Sequence, residues 1–276
     1  MMRVAGLLAL AALVTAGTGC GSDDTGDSGG PASGEMILAT TTSTVDSGLL
    51  DTLVPAYEET SGCSVQALGV GSGEALELGS AGNADVLLSH SPDAEEEFMA
   101  DGDGSRREAV MHNDFVIVGP PGDPAGVAGS TSAVDAMAQI AQSGSTFVSR
   151  ADESGTNTKE LELFDAAGVT PGGEWYEETG QGMGETLTIT SQLEGYTLSD
   201  RGTYLATDGL ELDVLTQGSR DLLNFYHVIV VNHDGTNRAC ADEFTDWLLT
   251  PDTQRLIGDF GVEEYGRQLF VPDATA

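Results

Sequence analysis

Residues 36–43 read Met-Ile-Leu-Ala-Thr-Thr-Thr-Ser, an apolar run that turns without a break into four hydroxyl-bearing residues. The apolar half predicts a short buried strand, and residues 64–70 and 85–88 have strand patterns of the same kind. The segment between the first two strands predicts a helix, because apolar side chains recur on one helical face. These are Leu49, Leu50, Leu53, Val54 and Tyr57. A β-α-β-α rhythm of this kind predicts an α/β fold with a mainly parallel sheet.

The middle of the chain predicts a second lobe. A strand at 115–118 ends in Gly119-Pro120-Pro121, which favours a crossing out of the first sheet, and the apolar run 225–231 favours a return. We therefore expect one lobe from residues 35–114 with 229–276 and a second lobe from residues 115–228. Each lobe is predicted to contain a doubly wound sheet, with a hinge between the two.

The first 34 residues are predicted to lie outside the folded core. Arg3, the apolar run 4–16 and the small residues before Cys20 are typical of a secretory signal at 1–20, too short to span a bilayer. A cysteine at its end resembles a bacterial lipoprotein cleavage site, although Gly17 stands where such signals usually have leucine. Residues 21–34 are poor in apolar side chains and predict a flexible tether. We expect an exported lipoprotein, anchored to the membrane through Cys20.

The charge of the chain excludes one class of partner. Its 276 residues carry 45 acidic and 10 basic side chains, a net charge of −35, and Lys159 is the only lysine. Nucleic acid is not expected to bind, because its phosphates require a basic surface. A strongly acidic surface with so little lysine indicates a high-salt habitat, since a Debye length of about 3 Å at molar salt screens the self-repulsion.

The cysteines allow one disulfide in the folded part. With Cys20 assigned to the signal, Cys63 and Cys240 remain in an exported and oxidising compartment. A bond between them is one interpretation, and two separately buried thiols are the other.

Three predicted loops rich in hydroxyl groups and glycine follow strands, at 40–43, 71–73 and 149–156. The carboxyl ends of parallel strands share one edge of a sheet, so these loops are expected to meet in one crevice. The third loop contains Arg150 and precedes a predicted helix, whose first N–H groups attract anions. Taken singly, each loop is equally well explained by turn and cap chemistry, with Ser154 as the helix cap. Together they predict an anion site.

Enzyme and metal signatures are weak in this sequence. There is no phosphate-binding loop and no Gly-x-Ser-x-Gly turn, and the four histidines lack metal-ligand spacing. The pair Thr156 and Lys159 has the spacing of a nucleophile and its base, but Lys159 is expected to face solvent. His90 follows a strand between two serines and is a candidate for the rim of the crevice, with packing as the alternative. We predict no catalysis, no cofactor and no metal.

Several motifs together carry a resemblance to a known family. They are Ala-Thr-Thr-Thr-Ser-Thr at 39–44, Asp-Ser-Gly-Leu-Leu at 46–50, Val-Gly-Ser-Gly at 70–73, Ala-Asp-Val-Leu-Leu at 84–88, Asn-Asp-Phe-Val-Ile-Val-Gly-Pro at 113–120, Ser-Arg-Ala-Asp-Glu-Ser-Gly-Thr at 149–156 and Tyr-Thr-Leu-Ser-Asp-Arg-Gly-Thr-Tyr at 196–204. From about residue 36 to 272 the chain resembles the tungstate-binding proteins of ABC-type tungstate uptake systems. Ala151 and Ser72 depart from the family, which usually has Gly and commonly has Thr at these positions.

The resemblance implies a periplasmic-binding-protein-like fold whose two α/β lobes close on an oxyanion. The implied ligand-binding residues come from all three loops, with Arg150 as the central cation, and Arg201 falls in the hinge or in the cleft. The full expected set is Thr41, Thr42, Ser43, Ser72, Arg150, Ser154 and Thr156.

The function implied is that of a monomeric, extracytoplasmic solute-binding protein that delivers tungstate or molybdate to an ABC permease. A binding protein for another tetrahedral oxyanion, namely molybdate, sulfate or phosphate, is the alternative within the class. Phosphate is less favoured, because a protonated phosphate usually needs a carboxylate acceptor. An exported hydrolase is the alternative from another class, and it would need a base beside a nucleophile.

The charge leads to a prediction about stability. We expect the melting temperature of the purified protein to rise from low to molar NaCl, because salt screens the repulsion among the 45 acidic side chains. Thermal unfolding followed by circular dichroism at several salt concentrations measures this. An unchanged melting temperature would contradict the proposed salt requirement.

Overall fold

The computed structural model describes residues 32–274. The predicted signal peptide and residues 21–31 of the predicted tether lie outside this range. The strands are β1 (Ser33–Thr41), β2 (Gly62–Val70), β3 (Val86–Ser89), β4 (Gly104–Gly119), β5 (Phe147–Ser149), β6 (Tyr176–Glu178), β7 (Thr197–Asp200), β8 (Asp213–Thr216), β9 (Leu223–Val231) and β10 (Val271–Pro272). The α-helices are α1 (Thr42–Asp46), α2 (Leu49–Thr60), α3 (Ser72–Ser80), α4 (Pro92–Asp101), α5 (Ala133–Ser143), α6 (Gly155–Ala166), α7 (Met183–Gln192), α8 (Arg201–Ala206), α9 (Arg238–Leu248), α10 (Pro251–Asp259) and α11 (Val262–Tyr265).

The main sheet is mixed rather than mainly parallel. Its strands follow the order β10-β4-β9-β3-β1-β2, and β7 and β8 also pair with β4. The β-α-β-α rhythm correctly predicts the parallel pairing of β1 with β2 and β3. The remaining pairs in this sheet are antiparallel, because β4 and β9 carry the chain out of the first half and back beside each other.

The long strand β4 connects the two halves of the molecule. From Gly104 to Asp114 it pairs with β9, and from Phe115 to Gly119 it pairs with β7 and β8. The predicted crossing at Gly119-Pro120-Pro121 is therefore wrong, since the change of partners occurs within the strand, between Asp114 and Phe115. The first part of β4 was not predicted from the sequence, because three charged residues, 106–108, interrupt its apolar pattern.

Two separate groups of buried side chains confirm the predicted two-lobed fold. The first lobe packs α2 and α9 against β1, β3 and β9, and its core includes Leu38, Leu53, Val228 and Phe244. The second lobe packs α5 and α6 against β4 and β7, and its core includes Phe115, Met137, Phe147, Phe164 and Tyr196. Since β9 pairs with β4 from Leu223 onward, the chain has returned to the first lobe before residue 229.

A disulfide ties the first lobe together. Cys63 in β2 is bonded to Cys240 in α9, 177 residues away, as one of the two interpretations of the sequence predicts. The neighbouring backbone is paired as well, because Ser33 and Gly34 align with Gly62 and Cys63. These two residues, which the sequence analysis assigned to the tether, therefore belong to β1.

We expect the disulfide to contribute to stability. Replacing both Cys63 and Cys240 with serine should lower the free energy of unfolding by about 2–4 kcal/mol, because the bond closes a long loop in the unfolded chain. Chemical denaturation of both proteins measures the difference. Peptide mapping without reduction should recover residues 63 and 240 in one linked peptide, and separate free thiols at these positions would contradict the bond.

A carboxyl group is buried in the second lobe beneath the two-stranded sheet of β5 and β6. Glu160 on α6 is 1% exposed, and the Tyr176 hydroxyl donates to its Oε1 at 2.5 Å. Burial raises the pKa of Glu160 to about 7, and the carboxylates of Asp152 and Glu178 act in the same direction. The hydrogen bond from Tyr176 opposes this shift only in part.

The raised pKa of Glu160 predicts a pH dependence of stability. The folded protein holds this proton up to about pH 7, whereas the unfolded chain releases it near pH 4.5. The free energy of unfolding should therefore fall as the pH rises from about 4.5 to above 7, by up to about 3 kcal/mol from this group. Glu160→Gln should remove that part of the slope in denaturant titrations at several pH values.

Glu162→Gln is the matched control, because Glu162 lies on the same helix, is half exposed and pairs with Lys159 at 2.5 Å. It should keep the slope of the unmodified protein. An unchanged slope in Glu160→Gln would contradict the assignment of this pH dependence to Glu160.

Candidate functional site

The guanidinium of Arg150 lies between the two lobes. Arg150 follows β5 and is 2% exposed. Its Nη2 donates to Asp152 Oδ2 at 2.6 Å and to Thr42 Oγ1 at 3.5 Å, and its Nη1 donates to Thr156 Oγ1 at 3.4 Å. The side chain therefore contacts a hydroxyl of the first lobe, a hydroxyl of its own lobe and a carboxylate counter-ion.

The residues on both sides of Asp152 have positive φ angles, which residues other than glycine rarely adopt. Ala151 has a φ of 47° and Glu153 a φ of 58°. Each such residue costs roughly 1–2 kcal/mol, a strain that glycine avoids. A glycine at position 151, which the resemblance leads us to expect, would remove this strain. The Oγ of Ser149 supports the loop by accepting from the Ala151 N–H at 3.1 Å and from Asn157 Nδ2 at 3.3 Å.

Ser154 and Gly155 form the start of α6 and meet the first lobe. Ser154 is the helix cap that the sequence allowed, since its Oγ accepts from the Asn157 N–H at 3.3 Å. The Gly155 N–H donates across the lobes to Ser72 Oγ at 3.2 Å. A helix N–H group and a buried serine thus meet where the third and second loops were predicted to converge.

The first loop presents its hydroxyls differently. Thr42 reaches Arg150, whereas Thr41 and Ser43 lie behind it and are both 4% exposed. Thr41 Oγ1 is 3.1 Å from Ser43 Oγ and 2.7 Å from Thr44 Oγ1. The structure therefore brings Thr42, Arg150 and Thr156 into direct contact and places Ser72 against Gly155.

A cavity of about 450 Å³ opens beside Arg150. It is lined by the glycines of the second loop and by Gly180 and Gly182, so backbone approaches the cavity closely. Thr42, Gln181 and four carboxylates line the remainder, the carboxylates being Glu74, Glu77, Asp152 and Glu153. The cation of Arg150 is therefore concentrated at one end of an otherwise acidic opening.

Several buried polar side chains lie close to the lobe boundary, and three of them, Ser89, Asp200 and Thr203, were not among the predicted site residues. Within residues 32–274, the residues with a buried side-chain N or O that lacks a hydrogen-bond partner lie at or just beyond the carboxyl ends of β3, β5 and β7. They are Ser89, His90, Arg150, Asp200 and Thr203. The pattern that identified the other loops, polar residues directly after a strand, also applies to Ser89 and Asp200.

The ionisable groups around the site are shifted by burial. Burial lowers the pKa of His90 to about 4, and the nearby Arg150 cation acts in the same direction. Burial raises the pKa of Asp200, which Arg150 opposes. The pKa of Asp46 is also raised, by burial first and then by the charge of Glu185. Desolvation therefore favours the neutral forms of these groups around one permanent cation.

Arg201 belongs to the crossing between the lobes. It is 4% exposed and makes a two-pronged pair with Asp114, with Nε donating to Oδ1 at 2.8 Å and Nη2 donating to Oδ2. Nη2 also donates to Gln217 Oε1 at 2.9 Å. Asp114 is the residue at which β4 leaves β9, so this pair stabilises the point where the chain crosses.

Other chemistry finds little support around these residues. Lys159 pairs with Glu162 rather than with Thr156, which leaves the hydroxyl without a base. No group of three His, Cys, Asp or Glu side chains in the range 32–274 is placed to hold a metal ion. No helix in that range is both long and apolar enough to cross a bilayer.

Comparison with known proteins agrees with the fold. Residues 21–252 match the family described as PBP superfamily domain. A putative ABC transporter anion-binding protein of Haloferax volcanii is 47% identical over 94% of this chain and 77% of its own length. The tungstate-binding protein TupA of Peptoclostridium acidaminophilum is 45% identical over 88% of this chain and 87% of its own.

A solved structure extends the likeness to three dimensions. The crystal structure described as the tungstate ABC transporter from Geobacter sulfurreducens has a TM-score of 0.76 and 44% identity, covering 82% of this chain and 98% of that one. These relatives are named as proteins that bind anions or tungstate or that belong to ABC transporters. The chain belongs to the PBP superfamily and, within it, to the family of the tungstate-binding proteins.

Proposed function

We propose that this protein captures tungstate, or the closely similar molybdate, outside the cytoplasm and delivers it to an ABC permease. The observation that carries the proposal is the buried guanidinium of Arg150, which donates to a hydroxyl from each lobe, Thr42 and Thr156, beside its counter-ion Asp152. A tetrahedral dianion accepts hydrogen bonds in all directions, so it suits a site of this kind. The names of the relatives support the same ligand.

The proposed ligand contacts are Thr41, Thr42, Ser43, Ser72, Arg150, Ser154 and Thr156. Thr42 and Thr156 already contact Arg150, and Ser72 already accepts from the first N–H of α6. An oxyanion between the lobes would exchange these weak contacts, at 3.2–3.5 Å, for charge-assisted hydrogen bonds. Closure of the lobes would exclude water and strengthen each of them.

Salt screening limits the repulsion between the chain and an oxyanion to the carboxylates near the cleft, such as Glu74 and Glu77. At physiological salt the Debye length is about 8 Å, so exposed carboxylates farther away are largely screened. The site itself contains Arg150, and α6, a helix of 12 residues, directs its N-terminus at the cleft. Asp152 is the counter-ion in this structure, and we infer that it orients the guanidinium when the oxyanion binds.

The remaining parts of the proposal concern location and assembly. We propose that residues 1–20 export the protein, that Cys20 carries a lipid and that residues 21–32 tether a monomer to the membrane. The lobes are proposed to be residues 33–114 with 223–276 and residues 115–222, bounds adjusted to the start of β1 and to the return of the chain at β9. The function requires no cofactor and no catalysis, because the ligand is released unchanged.

Replacing Arg150 with alanine tests the site. Arg150→Ala should lower tungstate affinity at least about 100-fold, since hydrogen bonds to charged groups contribute roughly 1.5–3 kcal/mol each. Arg150→Lys should also bind weakly, because lysine keeps the charge but loses the fork of donors. Lys159→Ala is the control and should bind as the unmodified protein does.

Isothermal titration calorimetry with tungstate, molybdate, sulfate and phosphate measures these affinities. Preference of the unmodified protein for sulfate or phosphate would replace the proposed ligand with another oxyanion. Full tungstate affinity in Arg150→Ala would contradict the site.

A further inference from the structure

His90 is the buried polar side chain that the proposed site does not yet use. It follows β3 in the first lobe and is 6% exposed, and neither ring nitrogen has a hydrogen-bond partner of normal geometry within the described range, although the Asn224 side chain is near enough to raise its pKa. Its ring packs 4.9 Å from the ring of Tyr226 and 6.5 Å from that of Phe115, between centroids. A phenyl ring would fill the same space without leaving polar atoms unpaired, so packing alone does not account for a histidine here.

The imidazole lies where the two lobes meet. A Cβ placed on Gly155 would be 2.4 Å from His90 Cε1, 2.7 Å from its Nδ1 and 2.9 Å from Ser72 Oγ. His90 and Ser72 therefore converge on the first residue of α6, in a gap that only glycine fits. This is the same contact in which the Gly155 N–H donates to Ser72.

Two side chains at the lobe boundary, Arg150 and His90, have buried nitrogen atoms without a hydrogen-bond partner within the described range. Arg150 Nε is buried without a partner on the second lobe, and the imidazole is buried without a partner on the first. A neutral imidazole also has one N–H to donate. Unpaired buried donors are costly, and an anion with several oxygens between the lobes would satisfy them together.

Charged groups face the ring from two elements. Burial lowers the pKa of His90 to about 4 and leaves the ring neutral at neutral pH. Glu95 on α4 opposes this shift, and so does Asn224, whereas Arg150 lowers the pKa further. Asp93, Glu153, Lys159 and Glu162 line a cavity of about 420 Å³ that the ring also borders. This second cavity carries three carboxylates and one lysine, so it offers no anion site of its own.

We propose that His90 is a further ligand-contacting residue, which donates a ring N–H to the oxyanion held between Ser72 and the start of α6. The inference rests on the proposed function, because it assigns one more contact to the same ligand. The first lobe would then contact the ligand from three strand ends. Hydroxyl groups would contribute after β1 and β2, and the imidazole would contribute after β3.

Two substitutions distinguish the role of the ring N–H as a donor from the role of the ring in packing. His90→Phe keeps an aromatic ring against Tyr226 and removes the N–H, and His90→Gln keeps a donor. Tungstate affinity in calorimetry should fall about 10- to 100-fold in His90→Phe, the range for a hydrogen bond to a charged group, and less in His90→Gln. His112→Phe is the control, because His112 pairs with Asp273 at 2.8 Å, outside the site.

A second measurement on the unmodified protein covers the case in which a variant fails to fold. In a ¹H–¹⁵N spectrum of the histidine rings, tungstate should shift the His90 resonances and leave those of His112 in place. Unmodified affinity in His90→Phe together with unmoved His90 resonances would overturn the proposal while leaving tungstate binding intact. If the unmodified protein binds none of the four oxyanions, the proposed function fails and this inference fails with it.

Discussion

The buried guanidinium of Arg150 is the constraint on which the cleft depends. A permanent cation that is 2% exposed must be hydrogen-bonded and neutralised, and every nearby element contributes to this. Asp152 supplies the charge, Thr42 and Thr156 supply acceptors, and the strained backbone at 151–153 holds Asp152 in reach. Under the proposed function, a dianion would take the place of some of these protein groups, and the guanidinium would still be hydrogen-bonded and neutralised. A cleft of this kind can therefore exist, fully folded, both before and after it receives its ligand.

Two kinds of polar contact join the lobes, one at the crossing of β4 and one across the cleft. The pair of Arg201 with Asp114 is two-pronged and nearly buried, so it stabilises the crossing of β4 strongly. The contacts across the cleft are longer, with Gly155 to Ser72 at 3.2 Å and Arg150 to Thr42 at 3.5 Å. The contacts at the crossing are therefore shorter than those across the cleft.

Much of this arrangement could be predicted from the sequence, and the failures have physical causes. The parallel strands β1 to β3, the disulfide partners and the position of Arg150 follow from local patterns and from the cysteine count. The first part of β4 did not, because its charged side chains hide a strand whose pairing is decided by distant residues. Ser89, Asp200 and Thr203 were missed for a related reason, since only the three-dimensional fold reveals which polar atoms lack partners. The individual hydrogen bonds, such as that between Ser72 and Gly155, join residues 83 positions apart and leave no trace in sequence spacing.

The single strand shared by both lobes also bears on how such a protein can evolve. β4 contributes 11 residues to one lobe and five to the other without a loop between them. An exchange of one lobe between relatives would have to cut within a strand and restore its register on both sides, since a one-residue slip turns every side chain to the opposite face. The two halves of the cleft are thus inherited together, and changes in ligand preference are expected to arise in the loops rather than by shuffling of lobes.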